Sequence, residues 1–124
     1  MKVKHRNISN NRNNVILHPA KNNLKIRKIE SLLVSNTYSG AITLDVFIRS
    51  IDAYKSARRP TEIIDSTPLY NASFYIVKNL QIPQNVSVDI FGEFLKGFSY
   101  DAKYELVILL GNSSYTISTI LTYE

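Results

Sequence analysis

The sequence predicts an all-β protein, an antiparallel β-sandwich of about seven strands preceded by an extended N-terminal arm. Three observations lead to this prediction. Apolar residues alternate with polar ones in several segments, turn-forming residues separate these segments at short intervals, and no segment has the period of an amphipathic helix. A chain of 124 residues is large enough to bury one core without disulfides. The pattern leaves two topologies open, an immunoglobulin-like sandwich and a jelly roll.

Residues 1–23 are predicted to form the arm and residues 24–124 the sandwich domain. The arm contains seven asparagines, whose side chains compete with regular structure by hydrogen-bonding to the local backbone. Within it, residues 15–17 suit a short strand that ends before Pro19, because proline lacks the amide donor that a central strand needs. We expect the sandwich to fold without this arm.

The clearest strands form a predicted hairpin over residues 24–51. From position 42 to 48 every second residue is aliphatic, and most of the residues between them are polar. A short apolar run precedes this strand at 31–35, and the linking residues 36–40 tolerate the dihedral angles of a turn. Two paired strands joined by that turn are therefore expected.

The second half of the chain alternates between strands and breaks. Four further strands are predicted, at 73–82, 86–90, 104–110 and 115–121. Residues 111–114 are predicted to be a tight hairpin turn between the last two. Residues 92–99 suit a corner or a single helical turn. The irregular stretch 52–71 is long for a loop, and the sequence leaves open a short helical turn at 51–57 and a contact role.

The net charge of +5 is unevenly distributed along the chain. Residues 1–28 contain eight lysines or arginines and no acidic residue, whereas the rest of the chain contains seven basic and ten acidic residues. A cationic segment without counter-charge attracts an acidic protein surface or nucleic acid. We therefore predict subunit contacts through the arm and through the irregular loop. The predicted contact residues are Lys2, Lys4, Arg6, Arg12, Lys21, Arg58 and Arg59.

The sequence contains no constellation that indicates catalysis, a metal site or a cofactor site. Both histidines, His5 and His18, fall in the arm and are expected to be exposed. Cysteine is absent, and the four glycines occur in separate places that suit turns. Acidic residues such as Asp45 and Glu105 fall on the outer faces of strands, where they are expected to be solubilising. No run approaches the ~20 apolar residues that span a bilayer. We predict no enzymatic activity, no cofactor, no metal and no membrane association.

Four segments follow one another in a recognisable order. They are Ile-Glu-Ser-Leu-Leu-Val-Ser-Asn-Thr at 29–37, Ala-Ile-Thr-Leu-Asp-Val-Phe-Ile at 41–48, Phe-Tyr-Ile-Val-Lys-Asn-Leu-Gln-Ile-Pro at 74–83 and Val-Ser-Val-Asp-Ile at 86–90. This order of segments resembles that of small β-sandwich structural proteins in the virions of tailed bacteriophages. The resemblance is greatest to phages of marine bacteria, of the cyanophage type. The resemblance covers residues 24–123, and the arm and the long loop at 52–71 depart from it.

The resemblance implies a structural protein without enzymatic activity that is located in the virion. It implies a capsid accessory or decoration subunit, which forms homo-oligomers and contacts other virion proteins. A neck or tail position is the alternative within the same family. A carbohydrate- or receptor-binding module is a second alternative, because tyrosines such as Tyr38, Tyr100 and Tyr115 lie near turns and strand ends. Nucleic-acid binding through the arm is disfavoured because the arm has no interleaved aromatic residues.

Overall fold

The computed structural model describes residues 1–9, 14–20, 26–50, 73–91 and 97–124. These residues form nine β-strands and no helix, which confirms the all-β prediction. The strands are β1 (Lys2–Ser9), β2 (Val15–His18), β3 (Ile26–Asn36), β4 (Ile42–Ser50), β5 (Ser73–Ile82), β6 (Ser87–Asp89), β7 (Phe98–Asp101), β8 (Tyr104–Leu110) and β9 (Thr116–Tyr123).

The strands form two antiparallel sheets that pack face to face. The first, which we call the β1 sheet, has the order β1-β9-β3-β6, and β7 pairs with the other end of β3. The second, the β2 sheet, has the order β2-β8-β4-β5. The edge strands β1 and β2 therefore belong to different sheets. The predicted antiparallel β-sandwich is confirmed.

The pairing pattern identifies the sandwich as a jelly roll. Strands pair from the two ends of the chain inward: β1 with β9, β2 with β8, β3 with β6 and β7, and β4 with β5. This nesting arises when one long antiparallel ribbon wraps around a core, as in two-sheet jelly rolls. Of the two topologies that the sequence leaves open, the structure therefore has the jelly roll.

The core lies between the two sheets and is built from one face of each. The alternation predicted on β4 is confirmed, because its even residues from 42 to 48 are all buried. Leu106 and Ile108 of β8 lie beside them, and Leu32 and Leu121 face them from the β1 sheet. Fully burying each such side chain contributes about 1.5–3 kcal/mol to stability.

For two predicted hairpins, the strands are present but they do not pair with each other. β3 and β4 lie in different sheets, and so do β8 and β9. The short connections at 37–41 and 111–115 therefore cross from one sheet to the other. By contrast, β4 and β5, which residues 51–72 separate in sequence, are adjacent and paired. A connection that crosses between sheets and a hairpin within one sheet show the same strand alternation and the same turn residues. The sequence pattern therefore does not distinguish a crossing from a hairpin.

Asn36 fixes the crossing from β3 to β4. Its side chain is buried, and Nδ2 donates to the carbonyl oxygens of Gly40 at 2.9 Å, Ile82 at 3.0 Å and Pro83 at 3.1 Å. Its Oδ1 accepts a hydrogen bond of 2.9 Å from the backbone N–H of Tyr38. One side chain thus ties the crossing in one part of the chain to the end of β5 in another.

Two segments of the predicted arm are strands of the sandwich. β1 pairs with β9 over eight residues, and β2, the predicted short strand, pairs with β8. Their residues Ile8, Val15 and Leu17 are buried in the core. The sequence of β1 does not show apolar alternation, because Ile8 is its one buried residue. Backbone hydrogen bonds to β9, rather than an apolar face, hold this strand in place. The predicted arm therefore contributes one strand to each sheet.

The outer face of the β2 sheet contains a buried ion pair, which corrects the expectation that Glu105 is a solubilising surface residue. Arg49 on β4 lies opposite Glu105 on β8, and its Nε is 2.5 Å from the Glu105 Oε1. Both side chains are buried, as are Phe47 and Val107 on the same face. Glu105 lies on the outer face of its strand, as predicted, but this part of the outer face is buried.

Tyr100 on β7 carries a buried hydroxyl that has no hydrogen-bond partner within the described part of the chain. Burial raises the pKa of Tyr100 to about 12, and the positive charge of Arg27, which lies opposite on β3, counteracts part of this shift. The phenol is therefore neutral throughout the physiological range.

Replacing Tyr100 with Phe should leave stability at neutral pH unchanged or raise it by up to about 1 kcal/mol, because an unpaired buried hydroxyl is removed. At pH 9 and below, Tyr100 is essentially protonated in both the folded and the unfolded state of the wild type. Between pH 10 and about 12 the unfolded chain releases this proton first, so the wild type loses about 2–3 kcal/mol of stability that Tyr100→Phe keeps. Urea unfolding of both proteins at about pH 9 and about pH 11.5 measures the difference. An equal loss in both proteins would contradict the assignment.

Candidate interaction groove

A groove opens along one edge of the sandwich, where β1 of the first sheet and β2 of the second lie next to each other. Its volume is about 530 Å³. β1 contributes Lys4, His5 and Arg6 to its lining, and β2 contributes Ile16 and Leu17. Among the described residues, Pro19, Thr119 and Leu121 complete the lining. The groove therefore combines basic groups with an aliphatic wall.

Lys4 and Arg6 project from β1 toward β2. Alternate residues of a strand lie on the same face, and these two share a face with the buried Ile8. His5 lies on the opposite face of the strand. Thr119, directly opposite Arg6 on β9, donates from its hydroxyl to the Arg6 carbonyl oxygen at 3.1 Å, which reinforces the strand pair at this point.

A β-bulge in β2 places His18 inside the sandwich. The register of β2 against β8 shifts between Ile16 and His18, so Leu17 and His18 both face inward. The Nζ of Lys4 lies 3.2 Å from the His18 Nδ1. An ammonium group can only donate, so this Nδ1 is an acceptor and carries no proton. The expectation that His18 is exposed is wrong, because the bulge changes the face on which it lies.

Tyr123 supports this contact from β9. Its ring centroid lies 4.4 Å from that of His18, and the Lys4 Nζ lies 5.2 Å from the Tyr123 ring centroid. A cation above an aromatic face at a partly exposed site is stabilised by about 0.5–1 kcal/mol. The position of the Lys4 ammonium group is therefore set by two rings, one from each sheet.

Two arginines of the β1 sheet also donate to the chain in and after β2. Arg6 donates to the carbonyl oxygen of Ile16 at 3.4 Å, and the buried Arg27 donates to the carbonyl oxygen of Pro19. With Lys4, three basic side chains thus link the two sheets along this edge. Residues 1–28 contain no acidic residue, so no carboxylate from this segment offsets their charge.

The structure brings together two of the seven predicted contact residues, Lys4 and Arg6, in the groove. Lys2 is exposed at the start of β1, on the same face of the strand. The others lie outside the described residues, as does the irregular loop at 52–71. They are Arg12, Lys21, Arg58 and Arg59.

Sequence reasoning missed three residues that support the groove, His18, Arg27 and Tyr123. A signal for Arg27 exists, because it is two positions before Ile29 on β3 and therefore falls on the inward face of that strand. No comparable signal exists for His18, whose orientation depends on the bulge.

Three of the tyrosines predicted near turns, Tyr38, Tyr100 and Tyr115, are engaged in packing within the described part of the molecule. Tyr100 is buried, and Tyr38 and Tyr115 pack against each other with ring centroids 5.1 Å apart. Both of these rings are half-buried. The structure therefore shows them as a mutual contact rather than as a flat stacking surface.

The donor set of the groove suits an anion rather than a cation. Ammonium and guanidinium groups are donors without acceptors, and carboxylates and phosphates match them. Within the described ranges, no three His, Cys, Asp or Glu side chains lie close enough together to hold a metal ion. In that same part of the chain, no helix has the length and apolarity needed to cross a membrane.

Comparison with known proteins identifies no relative, because no protein-family model, no curated protein and no solved structure matches the chain. The functional argument therefore rests on the groove and on the strand edges that form it.

Proposed function

We propose that this chain is a non-enzymatic structural protein of a phage virion, a capsid accessory or decoration subunit, that joins its neighbours through the groove between β1 and β2. The observation that carries the proposal is the meeting of two edge strands at a groove lined by basic side chains. A subunit of this kind needs a preformed surface that binds a neighbour without refolding, and an open strand edge provides one.

Backbone groups along this edge support the proposal. Among the described strands, β1 pairs only with β9 and β2 only with β8, so each has one edge without a strand partner. Natural proteins usually protect such edges, because unpaired N–H and C=O groups readily accept another strand. The exposed guanidinium of Arg6 adds a charge that attracts an acidic surface at long range.

Two further features favour a virion role. The order of the segments between residues 29 and 90 resembles that of phage virion proteins. The jelly-roll topology also recurs in viral capsid domains, although it occurs in lectins and cupins as well. Because one fold hosts many functions, the topology is secondary support and the groove carries the argument.

Virus particles purified on a density gradient from a culture that carries the gene should contain the chain in many copies. Quantitative mass spectrometry measures the copy number, and immunogold labelling distinguishes the capsid from the neck and tail. The variant Arg6→Glu should lower incorporation by roughly tenfold, because a reversed charge repels the acidic partner while the exposed side chain contributes little to folding.

The matched control is Lys78→Glu, which makes the same charge change on the exposed β5 edge at the far side of the β2 sheet. Its incorporation should equal that of the wild type. Absence of the chain from purified particles would overturn the virion proposal. Equal incorporation of Arg6→Glu and the wild type would overturn the role assigned to the groove.

A further inference from the structure

We infer that the groove takes an extended acidic segment of a partner protein, which adds as a strand beside β1 and presents carboxylates at alternate positions to Lys4 and Arg6. The inference rests on the proposed contact role of this edge and adds the chemistry of the partner. It follows from the backbone of β1, the spacing of its cations and the composition of the opposite wall.

The backbone of β1 suits strand addition. The strand contains eight residues and no proline, and it is paired with β9 along its whole length. This ladder holds it in an extended conformation, so an incoming segment meets a preformed row of donors and acceptors on the other edge. β2 is a poorer template, because it has four residues, a bulge and a proline immediately after it.

The spacing of the cations determines the pattern of the partner. Lys4 and Arg6 are two residues apart and therefore lie on the same face of β1. An added strand has the same period, so two carboxylates at alternate positions lie opposite both cations, where pairs of opposite charge stabilise neighbouring strands. Neither β1 nor β2 contains an acidic residue.

Arg6 retains donors for such a partner. A guanidinium group has five N–H donors, and the hydrogen bond from Arg6 to the Ile16 carbonyl oxygen is long, at 3.4 Å. A carboxylate accepts two parallel N–H groups from one guanidinium, which gives a directional contact that a single backbone carbonyl does not offer.

The opposite wall favours a peptide over nucleic acid. Ile16 is 38% exposed and provides aliphatic surface against which the apolar parts of a peptide can pack, while the buried Leu17 and Leu121 form the floor behind it. Single-stranded nucleic acids are usually held by bases stacked on aromatic rings, and the described residues that line the groove include no Phe, Tyr or Trp. Positive charge together with an aliphatic wall therefore fits an acidic strand.

The test measures binding of the full-length protein to a fluorescent peptide of alternating threonine and glutamate that has the length of β1, by fluorescence anisotropy. Binding should be saturable at low salt and should weaken as the salt concentration rises from about 0.05 M to about 0.5 M. Arg6→Glu should weaken it by roughly tenfold, whereas Lys78→Glu should change it by less than about twofold. Circular dichroism of both variants checks that each remains folded.

Two control peptides test the binding mode. A peptide with lysine in place of every glutamate should not bind, and a peptide with N-methylated nitrogens at every residue should bind much more weakly, because neither of its edges can then donate hydrogen bonds to β1. Equal binding of the N-methylated peptide would overturn strand addition. Tighter binding of an oligothymidine of the same length would overturn the choice of a peptide.

The peptide and particle experiments separate this inference from the proposed function. If particles contain the chain and exclude Arg6→Glu while the peptide does not bind, the partner chemistry is wrong and the virion role stands. If the peptide binds as described and purified particles lack the chain, the virion role is wrong and the acidic-strand site stands.

Discussion

A chain that lacks residues 1–23 should fail to form a stable folded domain. The deletion removes β1 and β2 and takes the core residues Ile8, Val15 and Leu17 with them. At about 1.5–3 kcal/mol for each buried aliphatic side chain, this loss alone approaches the total stability of about 5–15 kcal/mol of a typical domain. Circular dichroism with thermal melting should show no cooperative transition for the truncated chain at room temperature or above. The sequence-based expectation was the opposite.

The control for this deletion keeps the strand and removes its exposed charges. A full-length chain with Lys2→Gln and Arg6→Gln should melt within about 3 °C of the wild type, because exposed charges contribute little to stability. If the truncated chain melts cooperatively near the wild-type temperature, β1 and β2 are not integral to the sandwich. Light scattering adds a second readout, because loss of these strands uncovers the edges of β8 and β9 and should cause aggregation.

Asn36→Asp should cost about 3 kcal/mol or more of stability at neutral pH. The change replaces a buried amide that donates to three carbonyl oxygens with an oxygen that repels them. It also buries a negative charge with no cation among the contacts described for this site. For a chain of this length the melting temperature should fall by roughly 10 °C or more, as measured by calorimetry or circular dichroism.

Asn112→Asp is the matched control, because it makes the same chemical change in an exposed turn. The Asn112 Oδ1 accepts hydrogen bonds from the Ser114 backbone N–H and hydroxyl, both at 3.0 Å, and a carboxylate oxygen can accept them equally well. The control should alter stability by less than about 0.5 kcal/mol. A similar small change for Asn36→Asp would show that the crossing does not depend on this side chain.

The strands that were predictable from sequence are those with one apolar face. β4 is the clearest, because its even residues line the core and its neighbours are mostly polar. β1 was not predictable, because hydrogen bonds to β9 hold a strand whose side chains are mostly exposed. Pairing was not predictable either, because a crossing between sheets and a hairpin within a sheet use the same turn residues.

The groove was predictable in part. The excess of charge in residues 1–28 indicated Lys4 and Arg6 as contact residues. Their position beside β2 was not predictable, because it requires the nesting of both chain ends in a jelly roll. His18 illustrates the limit, since a one-residue bulge decides which face it occupies and sequence spacing does not record bulges.

The nested pairing of the strands has a consequence for the order of folding. Lys2 pairs with Tyr123, so the β1–β9 ladder joins residues from nearly opposite ends of the chain. Closing so long a loop is entropically costly, and sandwiches dominated by distant pairs fold slowly, on the order of milliseconds to seconds. We expect the inner strands to associate first and β1 to join β9 late. The groove then exists only at the end of folding, and before that the uncovered edges of β8 and β9 are open to other chains.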